Sequence, residues 1–280
     1  MRNILAACFT AALALAASCL RAAAPPRPAH LVIVIEENHS FSRIIGSRDC
    51  PYLNRLAGQG ALLTRSHAVT HPSEPNYLAL FAGRAYGFRS DQCPPPGSPY
   101  ADPNLGSLLL KAGDTFAGYA EGLPEKDPLA CSDGAPSGYR RKHVPWVDFS
   151  NVPASANLPF SSFPRDFNRL PDVALVIPNL THDMHDGTPA QGDRWLVENL
   201  KSYIDWCPRH DSMILITFDE DNGLEGNRIP TLWLGAHVVH ARVGDRVNHY
   251  GLLKTICGLY GLRAPGHAAR ARSIARFLFR

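Results

Sequence analysis

Short apolar runs recur along the chain at 30–35, 61–68, 116–120, 173–177, 213–218 and 229–234. The run at 30–35 (HLVIVI) is continuous and β-branched rather than alternating, the pattern of a buried strand. Between them apolar positions return at helical spacing over 51–59, 77–82, 105–112, 193–206 and 250–259. In 193–206, Trp195, Leu196, Leu200, Tyr203 and Ile204 share one face, and Pro208 follows the end. Strands alternating with helices predict an α/β fold: a central, mostly parallel sheet with helices on both faces. Ligands of such sheets sit beyond the carboxyl ends of the strands. Glu37 with Asn38, Ser73, His182, and Asp219 with Glu220 each follow a strand, so one sheet edge can collect them. The stretch 121–170 is rich in Pro, Gly, Ser and Asn and has little period. It reads as a long flap over a site or a small subdomain. The tail, with Arg270, Arg272, Arg276 and Arg280, reads as a solvated surface helix.

The first residues change the picture of where the chain works. Arg2 precedes an apolar run over 4–20, and Ala22, Ala23 and Ala24 follow. That is an export signal, too short for a membrane span and without a second hydrophobic partner. The expected organisation is a signal at 1–24 and one domain at 25–280, exported to a periplasm or outside the cell. Lipid anchoring at Cys19 is the lesser alternative. No transmembrane span is expected in the mature chain. Without 1–24 the formal charge falls from +3 to +1. A balance so near neutral argues against nucleic acid as the main partner. Hydrophobic residues are 45% of the sequence, enough for a sizeable core. The mature part keeps Cys50, Cys93, Cys131, Cys207 and Cys257, none at CxxC spacing, so a zinc cluster is not expected. Export permits disulfides. Cys93 with Cys131 is the favoured pair, because both lie in Pro/Gly-rich loops that gain from closure.

The candidate chemistry gathers around His71-Pro72-Ser73-Glu74-Pro75-Asn76-Tyr77. Ser73 stands where a strand hands over to a helix, with Pro75 in the first turn. By itself such a serine is a helix cap. The same helix end carries free N–H groups and a positive dipole, which suit an anion. Upstream, Glu37 and Asn38 offer oxygen ligands; downstream, Asp219, Glu220 and Asp221 offer more. Two acidic clusters at strand ends repel unless a cation lies between them, and oxygen donors suit a hard one. His182-Asp183-Met184-His185-Asp186-Gly187 packs two histidines and two aspartates into one turn, able to meet metal, phosphate or a leaving group. Arg141-Lys142-His143 lies in the long loop, as a basic surface run or a substrate clamp, and His249 opens the last long helix.

Together these motifs resemble the secreted acid phosphatase and phospholipase C-type phosphoesterase family, within the alkaline-phosphatase-like superfamily. The matching stretches also include Phe218-Asp219-Glu220, Pro178-Asn179-Leu180-Thr181, Pro230-Thr231 and His249-Tyr250, in family order over about 30–262. The resemblance implies an exported, metal-dependent phosphoesterase acting on small phosphate esters. Ser73 is implied as nucleophile, forming a phosphoserine, and Asn76 as an amide that holds a phosphate oxygen. Glu37, Asn38, Asp219 and Glu220 are implied as metal ligands. His143, His182, His185 and His249 are implied as phosphate-contacting or proton-donating groups. Two-zinc members of the superfamily carry an Asp-His pair where this chain has Asp219-Glu220, which favours one divalent cation held mostly by oxygen. Many relatives have cysteines at the positions of Asn151 and Thr181, and this chain lacks that pair. A phosphomonoesterase with a mildly acidic optimum is expected. The alternatives are a phosphodiesterase or phospholipase C, and a non-catalytic exported metal- or phosphate-binding protein.

Overall fold

The structure is a computed structural model that describes residues 25–87 and 89–280; the expected export signal lies outside the described residues. Its strands are β1 (His30–Glu36), β2 (Ala61–Leu63), β3 (Ser66–His67), β4 (Phe116–Ala120), β5 (Asn157–Pro159), β6 (Val173–Ile177), β7 (Ser212–Phe218), β8 (Thr231–Gly235), β9 (Ala241–Val243) and β10 (Val247–Asn248). Its α-helices are α1 (Phe41–Ile44), α2 (Pro51–Ala57), α3 (Ser73–Ala82), α4 (Leu105–Ala112), α5 (Pro189–Trp206), α6 (His249–Leu259) and α7 (Ala275–Leu278). Eight strands form one sheet in the order β5-β4-β6-β1-β7-β8-β2-β9, and β10 pairs with β3 alongside. All its pairings are parallel except those of β8, which runs antiparallel to β7 and β2. The expected fold class is the one found.

β1 shows why its sequence is apolar throughout. Leu31, Ile33 and Ile35 face a layer containing α3, α4 and α6. Val32 and Val34 face the other layer, with α2 and α5. Each of these side chains is at most 1% exposed, so burial on both faces replaces the alternation of a half-exposed strand. α5 starts earlier than its apolar face suggested. Thr188 and Gln191 form a capping box around Pro189, satisfying the first N–H groups one turn ahead of Asp193.

Three expectations need correcting. The run 61–68 is two strands: β2 stays in the main sheet, and β3 leaves it to pair with β10. The tail is not a surface helix. It is a 3₁₀ turn and the four-residue α7, with Ala268, Ile274 and Leu278 buried against the core while its arginines face out. The stretch 121–170 is neither an open flap nor a separate subdomain. It chains 3₁₀ turns to β5 and drives Tyr139, Val144, Trp146 and Phe149 into the same core as β1 and α3. Gly118 makes room for it, since a Cβ there would lie 2.1 Å from the Trp146 ring.

Cys93 and Cys131 are bonded, and Cys50, Cys207 and Cys257 are buried free thiols. The bond closes 38 positions, worth ~4 kcal/mol in the chain-entropy picture. Cys93→Ser with Cys131→Ser should lower the melting temperature by roughly 8–16 °C. A calorimetric scan showing no change would mean that the bridge adds nothing to stability.

Candidate active site

The site lies where β1 and β7 end side by side. Asp219 donates its backbone N–H to the Glu36 carbonyl (3.0 Å), and Glu37 donates its own to the Asp183 carbonyl (2.7 Å). The ends of β1 and β7 and the turn that follows β6 thus meet through backbone bonds. Asn38 takes a left-handed turn (φ 45°) that aims its amide back at the cluster.

Ser73 enters from α3. The helix begins four residues before its apolar run and uses Pro72 as N-cap, with no side-chain cap bond. The Ser73 hydroxyl is therefore not a cap. It lies buried within reach of Glu37 Oε2 (3.0 Å), Glu220 Oε1 (3.1 Å) and Asn38 Oδ1 (3.3 Å). Asn76 sits one turn on, but its amide is fully engaged. Its oxygen accepts from the Val69 and Thr70 N–H groups, and its nitrogen donates to the Thr70 and Pro72 carbonyls. That geometry corrects the expected phosphate contact: Asn76 braces the loop that carries Ser73. The helix end is also partly taken, because Asp91 accepts from the Glu74 N–H (3.0 Å) and pairs with Lys142 (2.6 Å).

The charge is one-sided. Glu37, Asp183, Asp219 and Glu220 are all buried here. Burial, then Asp219 and Asp183, raises the Glu37 carboxyl well above the usual range. Burial first, then Glu220, pushes Asp219 up to about 7. Burial pushes Glu220 up to about 7, against its bond from Ser73. Burial likewise drives Asp183 well above its ordinary value. Burial works against the Lys142 ammonium, but the bond to Asp91 and the charges of Glu37, Asp91 and Asp219 together hold it above its ordinary value. Besides the Ser73 hydroxyl, Asn38 Oδ1 faces carboxylates; turned over, the amide would donate to Glu37, Glu220 and Asp219 at 3.0–3.3 Å. Oxygens crowded around one point without enough donors suit a hard cation. Glu37, His143 and Asp183 also bring ligand atoms within 4.8 Å of one another.

The four expected histidines divide into two pairs. His143 is walled in, with Nε2 3.1 Å from Glu37 Oε1 and Nδ1 3.5 Å from Asp183. It stacks on Tyr77 (4.9 Å between ring centres), whose hydroxyl donates to Glu37 Oε1 (2.5 Å). Burial first, then Lys142, holds His143 well below the ordinary imidazole value. His249 is equally buried, its Nε2 2.6 Å from the Asp219 carbonyl, and burial lowers it to about 4. Both rings thus lie inside the acidic cluster. His182 and His185 lie toward solvent, bonded to Glu121 (2.9 Å) and Asp186 (2.7 Å). His185 is 6.2 Å from His143, ring to ring.

Two participants were not expected. Asp183 lay inside the motif expected to meet metal, phosphate or a leaving group but was not singled out there; only the fold shows its side chain turned inward, accepting from the His185 N–H (2.8 Å). His71 stood at the head of the serine motif without a role. Its Nδ1 lies 2.5 Å from Glu220 Oε2, so it touches the carboxylate that touches Ser73.

The family model described as "Phosphoesterase family" matches residues 47–263. The chain is 49% identical to a phosphatidylinositol-3-phosphatase of Mycobacterium tuberculosis, over 91% of this chain and 84% of the relative. It is 32% identical to an acid phosphatase of Aspergillus fumigatus, over 75% of this chain, but spans only 51% of that relative's length. Among solved structures, the lipoteichoic acid synthase LtaP of Listeria monocytogenes superposes with a TM-score of 0.61 at 11% identity, covering 90% of this chain and 76% of that one. An alkaline phosphatase superfamily protein of Vibrio parahaemolyticus gives 0.57 at 15% identity, covering 89% and 70%. These structural likenesses speak for the fold alone.

Proposed function

The chain belongs to the phosphoesterase family, and from that premise we propose that it is an exported, cation-assisted phosphomonoesterase acting through a phosphoserine at Ser73. The observation that carries the reading is the Ser73 hydroxyl, which is free of any capping role and bonded to the carboxylates of Glu37 and Glu220. Those carboxylates are placed to accept its proton as Oγ attacks phosphorus. The ester P–O bond breaks, and the leaving alcohol takes a proton from His182 or His185, the two of the four expected histidines that lie toward solvent. Water then cleaves the phosphoserine: one carboxylate takes a proton from the water, the other returns its proton to Ser73 Oγ as the P–O bond breaks, and the histidine regains its proton from solvent. His143 and Tyr77 keep the Glu37 carboxylate turned toward Ser73, His249 fixes the Asp219 backbone, and Asn76 fixes the serine loop. A divalent cation held by Glu37, Asn38, Asp219 and Glu220, with Asp183 beside them, would offset phosphate charge and make the hydroxyl easier to ionise. The Cys93–Cys131 bond supports export to an oxidising compartment.

A monoester brings two negative charges near neutral pH, and Lys142, His182 and His185 stand near to meet the second. The relatives' names, an acid phosphatase and a phosphoinositide 3-phosphatase, also point to monoesters. We expect kcat/KM for p-nitrophenyl phosphate to exceed that for bis(p-nitrophenyl) phosphate by at least about tenfold, at acidic to neutral pH. A preference for the diester would transfer the same serine and ligands to a phosphodiesterase or phospholipase C.

A further inference from the structure

The basic run at 140–142 splits by direction. Arg140 donates to the carbonyls of Ala135, Pro136 and Tyr139, and Arg141 to the Leu129 carbonyl and to Asp148 (2.9 Å). Both guanidiniums are thus spent outside the acidic cluster. The Lys142 ammonium instead acts on Glu37, Asp183 and Glu220, lowering each against the upward push of burial. Its side chain is 18% exposed, and Asp91 Oδ2, at 2.6 Å, is the one hydrogen-bond partner of Nζ among the described residues. An ammonium has three donors, so two remain for an anion. A flexible four-carbon stem does not set their direction by itself. Asp91 can, because it is fixed in its turn. Its Oδ1 accepts from the N–H of Glu74, the residue after Ser73, at 3.0 Å, and the Gln92 N–H donates back to Glu74 Oε2 (2.8 Å). Two residues further on, Cys93 is bonded to Cys131, whose carbonyl accepts from the Arg141 N–H (3.1 Å). The loop of Asp91 is therefore tied on one side to the start of α3 and on the other to the loop of Lys142.

We propose that Asp91 is a positioning residue: it aims the Lys142 ammonium at the phosphoryl group, so that the second charge of a monoester is met at Nζ. The inference rests on the phosphomonoesterase reading, which brings Lys142 to that charge, and adds what holds it there. The readout is the ratio of kcat/KM for p-nitrophenyl phosphate to that for bis(p-nitrophenyl) phosphate, at about pH 7, where the monoester carries its second charge. Loss of structure lowers both values together, whereas loss of aim lowers the first more. Asp91→Asn keeps the shape and an acceptor for the Glu74 N–H. It should lower the ratio about tenfold, chiefly through KM for the monoester, with a melting temperature close to wild type. Lys142→Met should lower the ratio at least as far. In the Lys142→Met background, Asp91→Asn should then change it by less than about twofold, because both residues act through one ammonium. Equilibrium binding of inorganic phosphate to Ser73→Ala protein reads the pair apart from turnover. Each substitution should weaken it about tenfold, and the two together no further. If the wild type cleaves no monoester but this binding pattern stands, the catalytic reading fails and the positioning role survives. A ratio and an affinity lowered by Lys142→Met but not by Asp91→Asn overturn the positioning role, as do losses that add in the double variant. A ratio raised by Asp91→Asn overturns it too, by showing that Asp91 competes with phosphate for the ammonium. A ratio and an affinity unmoved by Lys142→Met remove Lys142 from the second charge and overturn it as well.

Discussion

Replacing Ser73 with alanine should cut kcat for phosphomonoesters by roughly a thousandfold or more, equivalent to ~4 kcal/mol of barrier, with the fold intact. Only the attacking oxygen is lost. α3 is capped at Pro72 without help from the hydroxyl, so its start does not depend on Ser73 Oγ. The loop before it is tied by four bonds to Asn76, which the substitution leaves alone. The Glu37 and Glu220 carboxylates lose one donor, a change of about 1 kcal/mol in either direction once they regain protons or a cation. Circular dichroism and a thermal scan should therefore match wild type while turnover disappears. Activity within about tenfold of wild type would mean that another group attacks phosphorus, and the bonds to Glu37 and Glu220 would then be structural.

Asn76→Ala should behave differently, and the contrast separates positioning from chemistry. Its amide satisfies two N–H groups and two carbonyls of the 69–72 loop, so its loss leaves part-buried backbone groups unpaired. The expected signature is lower stability together with lower kcat, measured on the same preparation. This residue also shows where the sequence was legible and where it was not. The spacing of Ser73 and Asn76 signals that both belong to one helical turn beside one site. It does not signal that the amide is consumed by backbone, because the donors lie in a loop whose path depends on β3 leaving the sheet. β1 was legible because burial on both faces demands an unbroken apolar run. The break between β2 and β3 was not, since Thr64 and Arg65 interrupt an apolar stretch without a Gly or Pro to mark the turn. The tail misled for a related reason: four arginines suggest a solvated helix, whereas Ile274 and Leu278, two residues among them, decide the packing. Glu37, Asp219 and Glu220 were legible as strand-end acids. Asp183 and His71 needed the third dimension, because each acts through a partner far away in sequence.

Removing the cation should inactivate the enzyme reversibly, and the metal-free protein should lose stability as the pH rises. Asp219 and Glu220 are held up at about 7 chiefly by burial, and Glu37 and Asp183 are raised as well. An acid whose folded value lies above its unfolded value of about 4 keeps its proton in the fold while the unfolded chain has lost it. Between those two values the unfolded chain binds fewer protons, so the stability of the metal-free protein falls as pH rises from about 4 toward about 7. A cation reverses the sign by favouring the ionised carboxylates. The gap in melting temperature between metal-loaded and chelator-treated protein should therefore be small near pH 5 and widen toward pH 8. Restoring a divalent cation should recover turnover and close the gap. Glu37→Gln removes the charge that touches Ser73, Tyr77 and His143 at once. It should lower metal occupancy, measured by elemental analysis after dialysis, and reduce kcat by about a hundredfold or more. The same substitution should make the chelated protein more stable near pH 8, because one fewer buried carboxyl has to hold a proton that the unfolded chain has given up. Full turnover in metal-stripped protein, or a melting gap that does not change with pH, would show that these carboxylates hold no catalytic cation.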